Sequence, residues 1–294
     1  MACAQDCADR GGKSINCQVM ETPRHLGYRR AMASVHPVGD QLREWRQRRR
    51  MSQLALATEA EISTKHLSFL ETGRAQPSRE MVMHLAERLA IPLREQNLLL
   101  VAAGYAPVFP ERALDDPALR TARKAIDLVL KGHEPYPALA VDRHWNLVAN
   151  NAAVPALLAP ADPSLLKPPV NVLRVSLHPG GLAPRIANLA EWRAHLLARL
   201  RRQIDLSADA ALTALFDELS AYPAPISTRP VRSDELAAVV IPVQLVSELG
   251  TLCFFSTTTV FGTPVYITLS ELALESFFPA DAATAEALRR AARP

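Results

Sequence analysis

The sequence predicts an α+β protein: five short helices around one small core, then an antiparallel sheet with flanking helices. Three observations predict it. From 39 to 105, apolar residues recur at helical spacing and serines stand where helices should begin. From 135 onward, short runs at 138–141, 145–149, 239–246, 251–260 and 265–269 read as strands, with helical stretches among them. Between the two halves lies YAPVFP (105–110), a proline-bounded linker.

At 294 residues two domains are the natural expectation. The division expected is a disordered tail over 1–38, an all-helical domain over 39–105, a linker and connector helix over 106–134, a mixed domain over 135–280 and a tail over 281–294. Apolar residues make up 49% and charged residues 21%, the balance of a soluble globular chain. No apolar run approaches the ~18 residues of a membrane span. The N-terminus lacks the apolar core of a signal peptide, so a cytoplasmic location with no membrane partner is expected. The sequence leaves open whether translation begins at Met1 or at Met32; Met32 is an alternative because recognisable structure starts only at Gly39.

The net charge of +3 says little about nucleic acid. The local pattern says more: Arg43, Arg46, Arg48, Arg49 and Arg50 crowd one segment and are expected to neutralise phosphates. Cys3, Cys7, Cys17 and Cys253 follow no common zinc spacing, and a reducing compartment argues against disulfides.

The first helix is expected over 40–50, with Leu42 and Trp45 on one face. Next comes SQLALATEAEISTKHLSFLETGRAQP (52–77), which reads as two short helices joined by a tight turn. Leu56, Ala60, Ile62, Leu67 and Leu70 face inward, and Ala57 is small where the helices nearly touch. Ser52 and Ser63 are natural N-caps. Thr64, Lys65, His66, Ser68 and Phe69 are left on the outer side of the second helix. That is the geometry of a helix-turn-helix. Ser78 caps a fourth helix, and a fifth runs from 93 to 103 and stops at Gly104.

This run resembles the helix-turn-helix of lambda-repressor/Xre regulators, including Glu71, Gly73, Pro77 and Ser78. The resemblance implies a five-helix lambda-repressor-like DNA-binding domain. One departure is Glu61, where that family usually has glycine because the backbone takes a positive φ; a glutamate there costs roughly 1 kcal/mol. The residues expected to read bases or anchor phosphates of operator DNA are Gln53, Ser63, Thr64, Lys65, His66, Ser68 and Arg74. Phe69 is expected either to touch a thymine methyl or to pack.

Beyond the linker, Asp116 and Pro117 start a helix with Leu119, Ala122, Ile126 and Val129 as its stripe. A hairpin follows over 138–149, then a short helix bent by Pro155. A strong amphipathic helix carries Leu189, Trp192, Leu196, Leu197 and Leu200, with Arg193, Arg199, Arg201 and Arg202 mostly off its stripe. Another helix is expected over 208–220. Three strands then close the domain, with 272–278 as a short final segment. Two strands, several helices and three antiparallel strands is a PAS-like order.

VDRHWNLVANNAA, NVLRVSLHPGGLAPRIANLAEWRAHLLARLRR and LALESFFPAD resemble the MmyB-like ligand-binding domain that follows an Xre helix-turn-helix. The resemblance implies a transcription regulator that senses a small apolar ligand, a fatty acid or acyl compound. Candidate walls of the ligand site are Leu139, Val141, Trp145, Leu147, Leu173, Leu177, Trp192, Leu196, Val243, Leu245, Phe254 and Tyr266, and core packing is the bland alternative for each. Arg174, His178 and Arg193 are the candidates for orienting a head group, since a buried carboxylate needs a partner.

No cofactor is expected; haem would need an axial ligand such as His178 or Cys253, and their surroundings single out neither. The chain has no G-x-S-x-G, phosphate-binding loop, dinucleotide fingerprint or H-E-x-x-H, so no enzymatic activity is expected. The partners expected are double-stranded operator DNA, a small apolar ligand and a second copy of the chain. Two rivals remain at this stage. One is a constitutive dimerisation module without ligand; the other is an antitoxin-like DNA binder with a protein partner.

Overall fold

The computed structural model describes residues 37–223 and 241–292. The expected tail over 1–38, the alternative start at Met32, and Cys3, Cys7 and Cys17 fall wholly or almost wholly outside the described residues, as does the start of the strand expected at 239.

Five helices come first: α1 (Val38–Arg48), α2 (Gln53–Glu59), α3 (Thr64–Glu71), α4 (Arg79–Arg88) and α5 (Leu93–Ala102). They enclose one core, in which Leu42, Leu56, Leu67, Leu85, Leu89 and Leu99 are wholly buried. The serine caps form as the sequence suggests. Ser52, Ser63 and Ser78 accept hydrogen bonds from the backbone N–H of Ala55, His66 and Met81 at 3.0, 3.1 and 3.2 Å. A Cβ on Gly39 would stand 2.4 Å from the Leu70 carbonyl oxygen, so α1 meets the end of α3 at a distance only glycine permits.

A 3₁₀ turn (Pro117–Leu119) leads into α6 (Arg120–Gly132). Its buried stripe is Ile126 and Leu130; Val129, expected inside, is 47% exposed. The sheet comprises β1 (Ala138–Val141), β2 (Leu147–Asn150), β3 (Val243–Ser247), β4 (Gly250–Val260) and β5 (Ala273–Pro279). The strands run in the order β2-β1-β5-β4-β3, every pair antiparallel. Between β2 and β3 lie α7 (Ala153–Leu158), α8 (Val172–Leu177), α9 (Leu189–Ser207) and α10 (Ala210–Ala221).

Strand alternation sends β1 to two cores. Leu139 and Val141 join the large core with α8, α9 and α10, whereas Ala138 and Ala140 pack with Ile126, Leu130, Leu272 and Leu274 under α6. Helices on both faces therefore cover the sheet.

Two expectations are corrected. The run 265–269 is not a strand; Ile267–Ser270 is one turn of helix (α11), and its Ile267 N–H donates to the Pro110 carbonyl at 3.1 Å. The fifth strand is instead the segment read as a short close. Residues expected as a tail form α12 (Ala282–Ala291), which buries Ala285, Ala287 and Leu288.

Candidate functional site

The α2–α3 turn holds Glu61 at φ +53°, the left-handed conformation its position demands. The Ile62 N–H returns to the Ala57 carbonyl at 2.9 Å and closes the end of α2. Leu67 and Leu70 then point inward, while Ser63, Thr64, Lys65 and His66 are exposed and Ser68 and Phe69 half-buried. Phe69 lies between two cations. The Lys65 ammonium is 5.7 Å from its ring centroid and the exposed Arg74 guanidinium 5.9 Å. The ring thus joins the two charged residues of the outer row.

Gln53 stands differently from the rest of that row. Its amide donates to Glu71 at 2.8 Å, and Arg46 makes two further bonds to the same carboxylate, at 2.6 and 2.9 Å. Burial alone would raise the Glu71 carboxyl; the bonds from Arg46 and Gln53 outweigh it and hold the group below its ordinary range. This buried pair ties α1 to the end of α3. The arginine cluster is accordingly corrected: Arg46 is internal, and Arg49 donates to the Leu89 and Ala90 carbonyls at the end of α4. Arg43, Arg48 and Arg50 remain exposed.

The second feature is an apolar cavity of about 130 Å³ between the sheet and helices α7, α8 and α9. Eight of the expected wall residues line it: Leu139, Trp145, Leu173, Trp192, Leu196, Val243, Leu245 and Phe254; Val141 is core. Leu147, Leu177 and Tyr266 do not; Leu177 is core, and Tyr266 only leads into α11. The three expected head-group residues also lie elsewhere. Arg174 pairs with Glu218 at 2.7 Å, and Tyr222 bonds the same carboxylate. The His178 Nδ1 accepts from the Gly180 N–H at 2.9 Å. Arg193 donates to the Ser220 carbonyl at 2.6 Å.

The charged residues at the wall are not among the expected candidates, and Arg199, expected mostly off the apolar stripe, lies on its face. Arg199 of α9 donates to the Glu275 carboxylate of β5 at 2.5 and 3.0 Å, and Glu275 is 3% exposed. Thr258 donates to it as well, at 2.9 Å, and the guanidinium lies 4.5 Å from the Trp145 ring centroid. A signal for both was present. Arg199 follows Trp192 and Leu196 at helical spacing, so it shares their face, and a glutamate inside LALESFF needs a partner if buried. Ser176 accepts the Trp192 indole N–H at 3.0 Å. His195 stacks on Trp192, and burial, then Arg199 and Arg202, push its imidazole below the ordinary range.

From this wall a run of polar contacts reaches the five helices. Trp145, at φ +66°, donates its indole N–H to Gln203 at 2.8 Å. Gln203 donates to the Arg143 carbonyl at 2.8 Å. The Arg143 guanidinium stands 3.5 Å from Glu271 and 3.6 Å from Asp209. Glu271 accepts two bonds from Arg94 of α5, at 2.8 and 2.9 Å.

A helix-turn-helix domain model matches residues 37–99. The model of the MmyB-like transcription regulator ligand binding domain matches residues 122–291, more than half of the chain. The chain belongs to that family. It is a DNA-binding transcription regulator with a ligand-binding domain, and the cavity lies wholly within the ligand-binding part. No curated protein matches the chain. No described helix is long and apolar enough to cross a membrane. Among the described residues no cluster of His, Cys, Asp or Glu is arranged to hold a metal ion.

Proposed function

We propose that this MmyB-like regulator binds operator DNA as a homodimer, with α3 in the major groove, and that a small apolar ligand in the cavity changes its DNA affinity. The observation that carries this reading is the outward row of Thr64, Lys65 and His66 on a helix whose other face is locked into the core. Lys65 and His66 donate to guanine acceptors or phosphates, and two copies address half-sites about 34 Å apart or a multiple of it. The ligand acts on DNA only by preferring one arrangement of the two halves over another.

A fatty acid or acyl compound is the ligand class implied by the resemblance. The cavity of about 130 Å³ is smaller than the roughly 300 Å³ at which ligand pockets usually begin. A long acyl chain therefore enters only if the wall helices part. That size favours a second reading, in which the C-terminal half is a constitutive dimerisation module with an almost filled core.

Native mass spectrometry of the purified chain, before and after organic extraction, separates the two when paired with a DNA titration. A released apolar mass together with a changed DNA affinity is expected. Equal masses and an unchanged affinity would leave the dimerisation module.

A further inference from the structure

We propose that α9 carries ligand occupancy from the cavity to the DNA-binding helices, with Gln203 and Arg143 as the positioning residues at its far end. This deepens the ligand-site reading above and rests on it. Trp192, Leu196, Arg199 and Gln203 recur at helical spacing, so they share one face of a single unbroken helix. The first three line the cavity. The end of α9 lies against the five helices. There the Leu206 carbonyl accepts from Arg49 at 3.5 Å, and the same guanidinium holds the Leu89 and Ala90 carbonyls at the end of α4. At a rise of about 1.5 Å per residue, roughly 20 Å of helix separates Trp192 from Leu206.

Trp145 joins the cavity to that end. It lines the wall at φ +66°, a conformation a bulky residue adopts only where its surroundings impose it. Its carbonyl accepts from the Val172 N–H of α8 at 2.9 Å, the Arg199 guanidinium covers its ring, and its indole N–H donates to Gln203. Gln203 in turn fixes the Arg143 carbonyl. The Arg143 guanidinium faces Asp209 and Glu271, and Glu271 is the carboxylate that Arg94 of α5 grips. A cavity of about 130 Å³ admits an acyl chain only by displacing a wall. The antiparallel ladder ties each strand to its neighbours, whereas α9 meets the sheet through side chains, so the helix gives first. A helix shifts as a body. Displacement at Trp192 and Leu196 therefore reaches Gln203 and Leu206 and alters the contacts with Arg143 and Arg49.

The test uses the full chain with octanoate and dodecanoate as probes. Native mass spectrometry reads binding, and amide hydrogen exchange reads segments 38–49 and 93–102. In the native chain the bound probe is expected to change exchange in both segments at least about twofold. Arg143→Ala, whose side chain lies outside the cavity, is expected to bind the probe as the native chain does and to lose the change at 93–102. Gln203→Met, which removes both amide bonds and keeps the length, is expected to lose it in both segments. Arg174→Gln breaks the ion pair with Glu218 away from this route and is expected to retain it. A native-size change in folded Arg143→Ala, or a bound probe that leaves both segments of the native chain unchanged, would overturn the proposal and leave the ligand site standing. Equal loss in Arg174→Gln would assign the effect to general loosening and overturn it as well. No binding of either probe would overturn the site reading and the proposal together.

Discussion

Arg94 of α5 holds both carboxylate oxygens of Glu271, at 2.8 and 2.9 Å, across the junction between the helical half and the sheet half. The same guanidinium also grips Glu111 at 2.5 and 2.8 Å. Its side chain is 24% exposed and that of Glu271 17% exposed, so water screens the pair only in part.

Arg94→Ala is expected to lower stability by about 1–2 kcal/mol. It should also loosen the coupling of the two halves, because the contacts from Trp145 through Gln203 and Arg143 then end at Glu271 without reaching α5. Urea unfolding should change from one transition toward two, with the helical half monitored by Trp45. A single transition with an unchanged slope would show that the junction rests on other contacts.

Glu61 sits at φ +53° with its side chain exposed. Glycine relieves the left-handed strain at that position, so Glu61→Gly is expected to stabilise the helical half by about 1 kcal/mol. Thermal unfolding of the full chain reads this as a raised midpoint. A lowered midpoint would mean that the glutamate side chain contributes more than its backbone conformation costs.

Asp209 caps α10 and accepts a hydrogen bond from His144 at 2.8 Å. That bond is the main reason its carboxyl is lowered from 3.8 to about 2. An acid depressed on folding adds stability at pH above its unfolded value and loses it as pH falls through the folded one. The contribution, about 1–2 kcal/mol, is thus complete above about pH 4 and fades toward pH 2. Asp209→Asn should unfold more easily than the native chain at pH 6 and equally easily near pH 2. A pH-independent difference would assign the loss to capping geometry instead.

The helical half was legible because its signals are local. Serines three residues from the N–H groups they cap, and leucines at helical spacing, specify α2, α3 and α4 within a few residues of sequence. The strained turn at Glu61 was expected through the resemblance, because that family usually has glycine there, and not from a local signal. The sheet half was less so. VYITL (265–269) is rich in β-branched residues, and its alternate residues Ile267 and Leu269 are both buried. A single helical turn is too short to display a helical period against that alternation. The true fifth strand carries Glu275, whose charge argues against a buried strand until Arg199, distant in sequence, is known to face it. For the same reason the polar end of the cavity was sought at Arg174, His178 and Arg193, which have partners elsewhere. Gln53 was named among the DNA-contacting residues because its bond to Glu71 depends on how α2 packs against α3, which helical spacing alone does not give.

The most direct test of the central claim is selection from a random duplex library by the full-length chain, with sequencing of what is retained. The native chain should enrich one motif built of two half-sites about one helical turn, or a multiple of it, apart. A folded variant with both Lys65→Ala and His66→Ala should lose that motif. If the variant enriches the same motif as strongly, or the native chain enriches none, the row on α3 does not read DNA.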